Sequence, residues 1–370
     1  MIIKELHVEN YFSLHDVSIS FKPLTVLVGP NASGKSNILR ALNLLNILML
    51  KEDLPNKNQL SEWFWAGNEK NNECLKFSIK SEHDSLPIEY SIQLQTKKPY
   101  LNSEQFQVNN ISVISLENGS GEISDEDGKN KVIYSDDKLA LKSAGAYGNK
   151  PITRKFSDFI KDWEFYNFIP ELIRGRVFRD EKVPSKLDND GSALRQLLYN
   201  WHEERKDSFQ SVNNSLEKSL NFTLGVLKED EELGLEEGYE KPIPLTKVSD
   251  GTLRLLAYYT LLNQDDLPLL VAIEEPERNL HPAALKTVVS LIEDLSRKTQ
   301  VIITTHSSQL LDYFDKDSLG TDLGVILLKN TKGKGTEVVD IEHAKNDNLS
   351  LQRWVDDFGI GSAIFDSDLI

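Results

Sequence analysis

One octapeptide constrains this chain more than anything else in it. Gly29-Pro30-Asn31-Ala32-Ser33-Gly34-Lys35-Ser36 fits G-x-x-x-x-G-K-[ST], and its flanks suit the motif. Ahead of it, residues 24–28 are a dense apolar run that ends in glycine, as a buried parallel strand would. Behind it Ile38, Leu39, Leu42, Leu45 and Leu48/Met49 recur at helical spacing. Such a unit curls its backbone so that successive N–H groups face phosphate oxygens, and the following helix adds its positive end. Lys35 is expected to reach the β and γ phosphates, and the Ser36 hydroxyl to ligate magnesium.

Three further segments carry chemistry of the same kind. The apolar strand LLVAIEEP at 269–276 ends in Glu274 and Glu275, placing neighbouring carboxylates at the strand's carboxyl edge, where α/β folds bind ligands. Glu274 suits the magnesium shell and Glu275 the orientation of an attacking water. Ser249, Asp250 and Gly251 open an apolar helix, offering a hydroxyl, bare N–H groups and a helix dipole to an anion. Strand 301–305 runs into His306 at the same sheet edge, where a γ-phosphate can be sensed by hydrogen bonding.

Around these segments the pattern changes in blocks. Leu6, Val8, Val17, Ile19 and Phe21 recur at a spacing of two, as in half-buried strands. From 74 to 134, short alternating runs between Ser, Asn, Gly and Pro clusters predict an antiparallel meander. Helical and aromatic patterns dominate 151–220, and the acidic run at 228–241 reads as a solvated hairpin tip or loop. The last block predicts helix 252–262, strand 269–273, helix 282–296, strand 301–305, helix 307–314 and strand 324–328. The fold class is therefore α/β: a P-loop head with a mixed or parallel core sheet, an antiparallel meander and an inserted helical region. The expected organisation is a discontinuous core lobe (1–50 and 240–345), a β subdomain (51–150), a helical signature-lobe insertion (151–240) and a tail (346–370).

In order, GPNASGKS, VSDGT, AIEEPERNLHP and TTHSS resemble the ATP-binding-cassette ATPases. Within them the resemblance is to the SMC-like heads of the AAA class (AAA15/AAA21, OLD- and RecF-like), and it covers about 1–50 and 240–330. It implies two heads face to face, each ATP held between one subunit's phosphate loop and the other's signature helix. Ser249 and Gly251 would then touch the γ-phosphate over the partner's Lys35, Glu275 would be the catalytic carboxylate, His306 the switch histidine, and 277–281 the loop at the dimer interface. Glu274 stands where the group usually has aspartate, one methylene shorter, and His281 where transporters carry aspartate. Gln59, Gln93 and Gln105 are the candidates for the glutamine loop.

Composition narrows the partners. With 42 basic and 58 acidic residues the net charge is −16, which does not favour whole-surface attraction to nucleic acid. Residues 142–186 are locally basic, with Lys142, Lys150, Arg154, Lys155, Lys161, Arg174, Arg176, Arg179, Lys182 and Lys186, and read first as an ordinary solvated surface. A single cysteine, Cys74, excludes an internal disulfide framework, and with no secretory or membrane-spanning run a cytosolic protein is expected. On this reading no TOPRIM nuclease domain of the kind OLD-type nucleases carry is expected within these residues. The resemblance thus implies the ATPase and sensor subunit of a bacterial anti-phage defence or toxin system, controlling a separately encoded effector such as a nuclease. The competing readings are a RecF-like repair ATPase clamping DNA through 142–186 and a nucleotide-gated scaffold with little turnover. A transporter motor ranks last.

Overall fold

Alternation in the first residues does build strands. In β1 (Ile2–Tyr11) and β2 (Leu14–Ser20), Leu6, Val8, Val17 and Ile19 are buried while the residues between them are more exposed. The computed structural model describes residues 1–67, 74–175, 184–227, 232–367 and 369. Next come β3 (Leu24–Val28), α1 (Lys35–Leu50), α2 (Lys57–Trp63), β4 (Cys74–His83), β5 (Leu86–Gln95), β6 (Leu101–Val108), β7 (Ile111–Glu117), β8 (Ser120–Ile123), β9 (Val132–Ser135), α3 (Leu141–Ala144) and α4 (Pro151–Lys161). The middle of the chain forms β10 (Trp163–Tyr166), α5 (Pro170–Ile173), α6 (Leu194–Glu204), α7 (Lys206–Leu220), β11 (Thr223–Leu227), β12 (Glu232–Glu236) and β13 (Ile243–Pro244). The rest forms α8 (Asp250–Leu262), β14 (Leu270–Glu274), α9 (Pro282–Ser296), β15 (Gln300–Thr305), α10 (Ser308–Asp312), β16 (Leu323–Thr331), β17 (Gly335–Asp340), α11 (Ile341–Asp347), α12 (Leu349–Phe358) and α13 (Ile360–Phe365).

The chain divides into two compact units. The first joins Met1–Trp163 to Asp317–Arg353. Its eight-stranded sheet runs β2-β1-β4-β5-β6-β7-β8-β9, every pair antiparallel, so the expected meander is extended by the N-terminal hairpin through β1 and β4. Behind the glycine loop, β3 pairs in parallel with β16, and β17 returns antiparallel to β16. Helix α1 packs on α4, and Asn46, which interrupts its apolar run, earns burial by donating to the Ile160 carbonyl at 2.8 Å. Glu104 lies wholly buried in β6, accepting from Tyr90 Oη–H at 3.1 Å and from the Ala140 and Leu141 N–H groups at 2.7 and 3.0 Å.

The second unit joins Glu164–Lys316 to Trp354–Asp368. Here β14 and β15 pair in parallel, Glu274 opposite Thr304, which places the ends of both strands side by side. Helices α8 and α9 pack together. Residues 228–231 of the acidic run lie outside the described residues. Residues 232–236 are not loop but strand, because Leu233 and Leu235 are buried in β12 between β11 and β13. Counting acids there concealed a short apolar alternation. Among the described residues no helix is long and apolar enough to cross a membrane.

Candidate functional site

In the first unit the loop between β3 and α1 has the backbone its motif requires. Gly29 has φ 152° and Gly34 has φ 108°, and both are crowded. A Cβ on Gly29 would sit 2.2 Å from the Leu328 carbonyl oxygen, and one on Gly34 would sit 2.2 Å from Thr336 Oγ1. Gly34 is the N-cap of α1 and has no side chain to cap it, while its carbonyl accepts from Asn37 and Ile38 N–H at 3.0 and 3.1 Å. The Lys35 side chain is buried and folds back over the loop, donating to the Gly29 and Pro30 carbonyls at 2.7 and 2.9 Å. Ala32 is held at φ 61°, its carbonyl accepting from Asn330 Nδ2 at 3.0 Å. The Ser33 hydroxyl is buried with no hydrogen-bond partner among the described residues. Ser36, on the first turn of α1, offers a hard oxygen of the kind magnesium prefers.

A brace for this loop comes from far along the chain. Thr336 in β17 donates its hydroxyl to the Ser33 carbonyl at 3.1 Å and lies 2.7 Å from Ser13 Oγ. Ser13 in turn accepts from Asn37 Nδ2 on α1 at 2.8 Å, and its carbonyl receives the Thr336 N–H at 2.8 Å. Nearby His15 stacks on Trp65, ring centroids 4.1 Å apart. The Trp63-Phe64-Trp65 segment is stitched to the turn after β1 by Phe12 N–H to the Trp63 carbonyl and Trp65 N–H to the Asn10 carbonyl. Of the glutamines considered, Gln59 serves a capping box with Asn56 and Gln93 accepts from Asn102.

In the second unit the acid, histidine and serine segments meet. Glu275 follows β14 with φ 44°, a left-handed conformation that costs a non-glycine residue on the order of 1–3 kcal/mol. Its N–H is pinned to both the carbonyl and the hydroxyl of Thr304 in β15, at 3.1 and 3.2 Å. That turn sets the Glu275 carboxylate beside His306, with Oε1 3.4 Å from Nδ1. Glu274 remains on the strand, half-buried, with its own carboxylate oxygens as hard donors. Ser249 caps α8 by accepting from Thr252 N–H at 3.2 Å. Asp250 is clamped by Arg174 on one oxygen and Asn279 Nδ2, at 3.3 Å, on the other. A Cβ on Gly251 would meet the Asn279 carbonyl oxygen at 3.1 Å, so the start of α8 lies directly against the loop after Glu275. His281 is the side-chain cap of α9, its Nδ1 accepting from Ala283 N–H at 3.2 Å, with Pro282 as the first helical residue.

Sequence reasoning missed Arg174, Thr336 and Ser13, none of which lies in a motif. It counted Arg174 in a basic stretch, whereas the guanidinium is spent on Asp250 and the Val248 carbonyl at 2.8 Å. Other cations of that stretch are also engaged locally. Lys150 is buried against Asp125 at 3.0 Å, Arg154 donates to the Gly145 carbonyl, Lys186 pairs with Glu164 and Lys142 bonds the Lys51 carbonyl. Arg176, Arg179 and Lys182 lie outside the described residues.

Comparison with known proteins gives a consistent picture. The family model "AAA domain, putative AbiEii toxin, Type IV TA system" matches residues 24–312. The DNA replication and repair protein RecF of Limosilactobacillus reuteri (strain DSM 20016) is 24% identical over 206 residues, 55% of this chain and 47% of the relative. The match therefore spans less than half of that relative's length. The OLD nuclease of Thermus scotoductus is 46% identical over 44 residues, 12% of this chain and 8% of that protein. Among solved structures, the SMC head domain from Thermotoga maritima superposes with a TM-score of 0.52 at 14% identity, covering 92% of this chain and 99% of that one. An SMC head bound to the C-terminal winged-helix domain of ScpA gives a TM-score of 0.55 at 16% identity, covering 92% and 97%.

Proposed function

The chain belongs to this AAA-domain family and has the fold of an SMC-type ATP-binding-cassette head, and from that premise we propose that it binds and hydrolyses Mg-ATP as the motor and sensor of a larger assembly. The observation that carries the reading is the braced loop at 29–36: positive-φ glycines, a buried lysine over the loop carbonyls and a helix that starts directly at the loop on a glycine N-cap. That combination is chemically suited to a polyphosphate. Ser36 and Glu274 each offer a hard oxygen of the kind magnesium takes, Glu274 being one methylene longer than the usual aspartate. Magnesium would supply charge neutralisation on the β and γ phosphates. Glu275 is the residue we assign to the attacking water. Its carboxylate is half-exposed and fixed by the pinned backbone turn. His306 stands beside it as the hydrogen-bonding partner for the transferred group.

The face-to-face dimer is part of the same proposal. Ser249 is exposed and Gly251 half-buried at the start of α8, and an exposed serine there suits contact with a nucleotide presented by a second copy. The family description, with its toxin system, supports a role in defence or toxin control acting on a separately encoded effector. A RecF-like DNA clamp is the second reading, favoured by the named relatives. The basic stretch that this second reading would use has many of its described cations engaged in local pairs.

Phosphate release by the purified chain tests the core of the proposal. Lys35→Ala should abolish turnover and nucleotide binding together. Glu275→Gln should bind ATP, turn over at least about 100-fold more slowly and shift from monomer to dimer mass in light scattering when ATP is added. A wild-type chain that neither binds nor hydrolyses Mg-ATP overturns the reading. Co-purification with the neighbouring gene product tests the effector.

A further inference from the structure

Of the two carboxylates in the loop after β14, Glu277 is the one that turns inward. Its side chain is 8% exposed, against 28% for Glu275. Its Oε1 accepts the Thr305 hydroxyl at 2.6 Å and the His306 N–H at 3.3 Å, and lies 3.7 Å from His306 Nδ1. The fixing is mutual: Thr305 also accepts from Ser307 N–H at 3.0 Å, so the carboxylate is tied to the strand end that carries the histidine. The other side of the carboxylate, Oε2, is buried without a hydrogen-bond partner among the described residues.

This arrangement follows the logic of a histidine oriented by a buried acid. An imidazole has two nitrogens, and the one that faces a fixed carboxylate keeps the proton, leaving the other as acceptor. Glu275 also approaches Nδ1, but it is half-exposed and, on the ATPase reading, is committed to water. Glu277 is held by two donors from β15 and its neighbour and has no such freedom. We propose that Glu277 is a positioning residue for His306: the buried carboxylate anchors the imidazole through Thr305 and the His306 backbone, and holds the ring proton on Nδ1 so that Nε2 faces outward. The role in turnover rests on the ATPase function proposed above. The orientation of the ring does not.

The experiment uses the full chain labelled with ¹⁵N in histidine, His306 being assigned by the signal lost in His306→Asn. In the wild type the His306 ring should show the Nδ1–H tautomer. Glu277→Gln retains an oxygen for Thr305 and the His306 N–H but removes the charge. It should shift the ring toward the Nε2–H form and lower kcat about tenfold, with KM for ATP within twofold. Thr305→Val leaves the charge and frees the carboxylate. It should give a mixed tautomer and a smaller fall in kcat, and it serves as the reading if Glu277→Gln does not fold. An unchanged ring spectrum in Glu277→Gln overturns the proposal, as does a tautomer set by Glu275→Gln alone or a changed tautomer with unchanged turnover. A wild type without ATPase activity whose ring still responds to Glu277→Gln refutes the proposed function and leaves the orientation standing.

Discussion

Replacing Thr336 by valine separates bracing of the phosphate loop from bracing of the fold. The two side chains have nearly the same shape, and Thr336 is 5% exposed, so the substitution removes a hydroxyl and little else. Lost with it are the bond to the Ser33 carbonyl at 3.1 Å and the contact with Ser13 Oγ at 2.7 Å. At about 1 kcal/mol net for each, the deficit is about 2 kcal/mol. If all of it appeared as lost order in the nucleotide-ready loop, affinity would fall about 30-fold, since about 1.4 kcal/mol is a factor of ten. Part of the deficit also falls on the fold, though a limited part, because Thr336 N–H still bonds Ser13 and β17 remains paired with β16. The expected result is therefore a five- to thirty-fold rise in Kd for a fluorescent ATP analogue. Melting temperature should drop by roughly 2–4 °C. Ser13→Ala should give a smaller effect of the same sign. A Thr336→Val chain that melts earlier but binds nucleotide like the wild type would refute the reasoning, showing that the network supports the sheet and not the loop.

Glu104 supplies a pH test. Burial pushes its carboxyl up to about 7, despite the bonds from Leu141 and Ala140 N–H that favour the charged form. The folded chain then keeps a proton that the unfolded chain has lost, so stability declines as pH rises from about 4.5 to about 7 and levels off above. The limit is about 3 kcal/mol at 1.36 kcal/mol per unit, and Glu104→Gln should flatten that slope in thermal melts taken between pH 5 and 8. Gly251→Ala should leave melting within about 2 °C, because roughly 1 kcal/mol of helix preference offsets the crowding against Asn279. It should also slow turnover severalfold by displacing the 279–280 segment; unchanged phosphate release would show that segment to be passive.

What could be read from the chain alone was what lies contiguous in it. GPNASGKS carries its own strand and helix, and the loop has the glycine geometry the motif demands. The β14 and β15 strands were legible because buried parallel strands are continuous apolar runs. Thr336 and Ser13 were not, since single small hydroxyls have no periodicity and their partners lie hundreds of residues away. The inward turn of Glu277 was hidden for a related reason: three acids within four residues look alike until Thr304 and Thr305 sort them. Arg174 shows that counting cations cannot tell a free charge from one already engaged with Asp250. The acidic run misled in the same way, because its charges masked the leucines of β12.

The distance between Ser33 and Thr336 also sets a schedule. A ribosome making this chain exposes residues 29–36 early, yet the hydroxyl that steadies them is encoded 303 positions later. At about 5–20 residues per second the wait is roughly 15–60 seconds. Throughout that interval the nascent polypeptide carries its glycine loop without this brace, so firm capture of a nucleotide has to wait until Thr336 has emerged and β17 has formed.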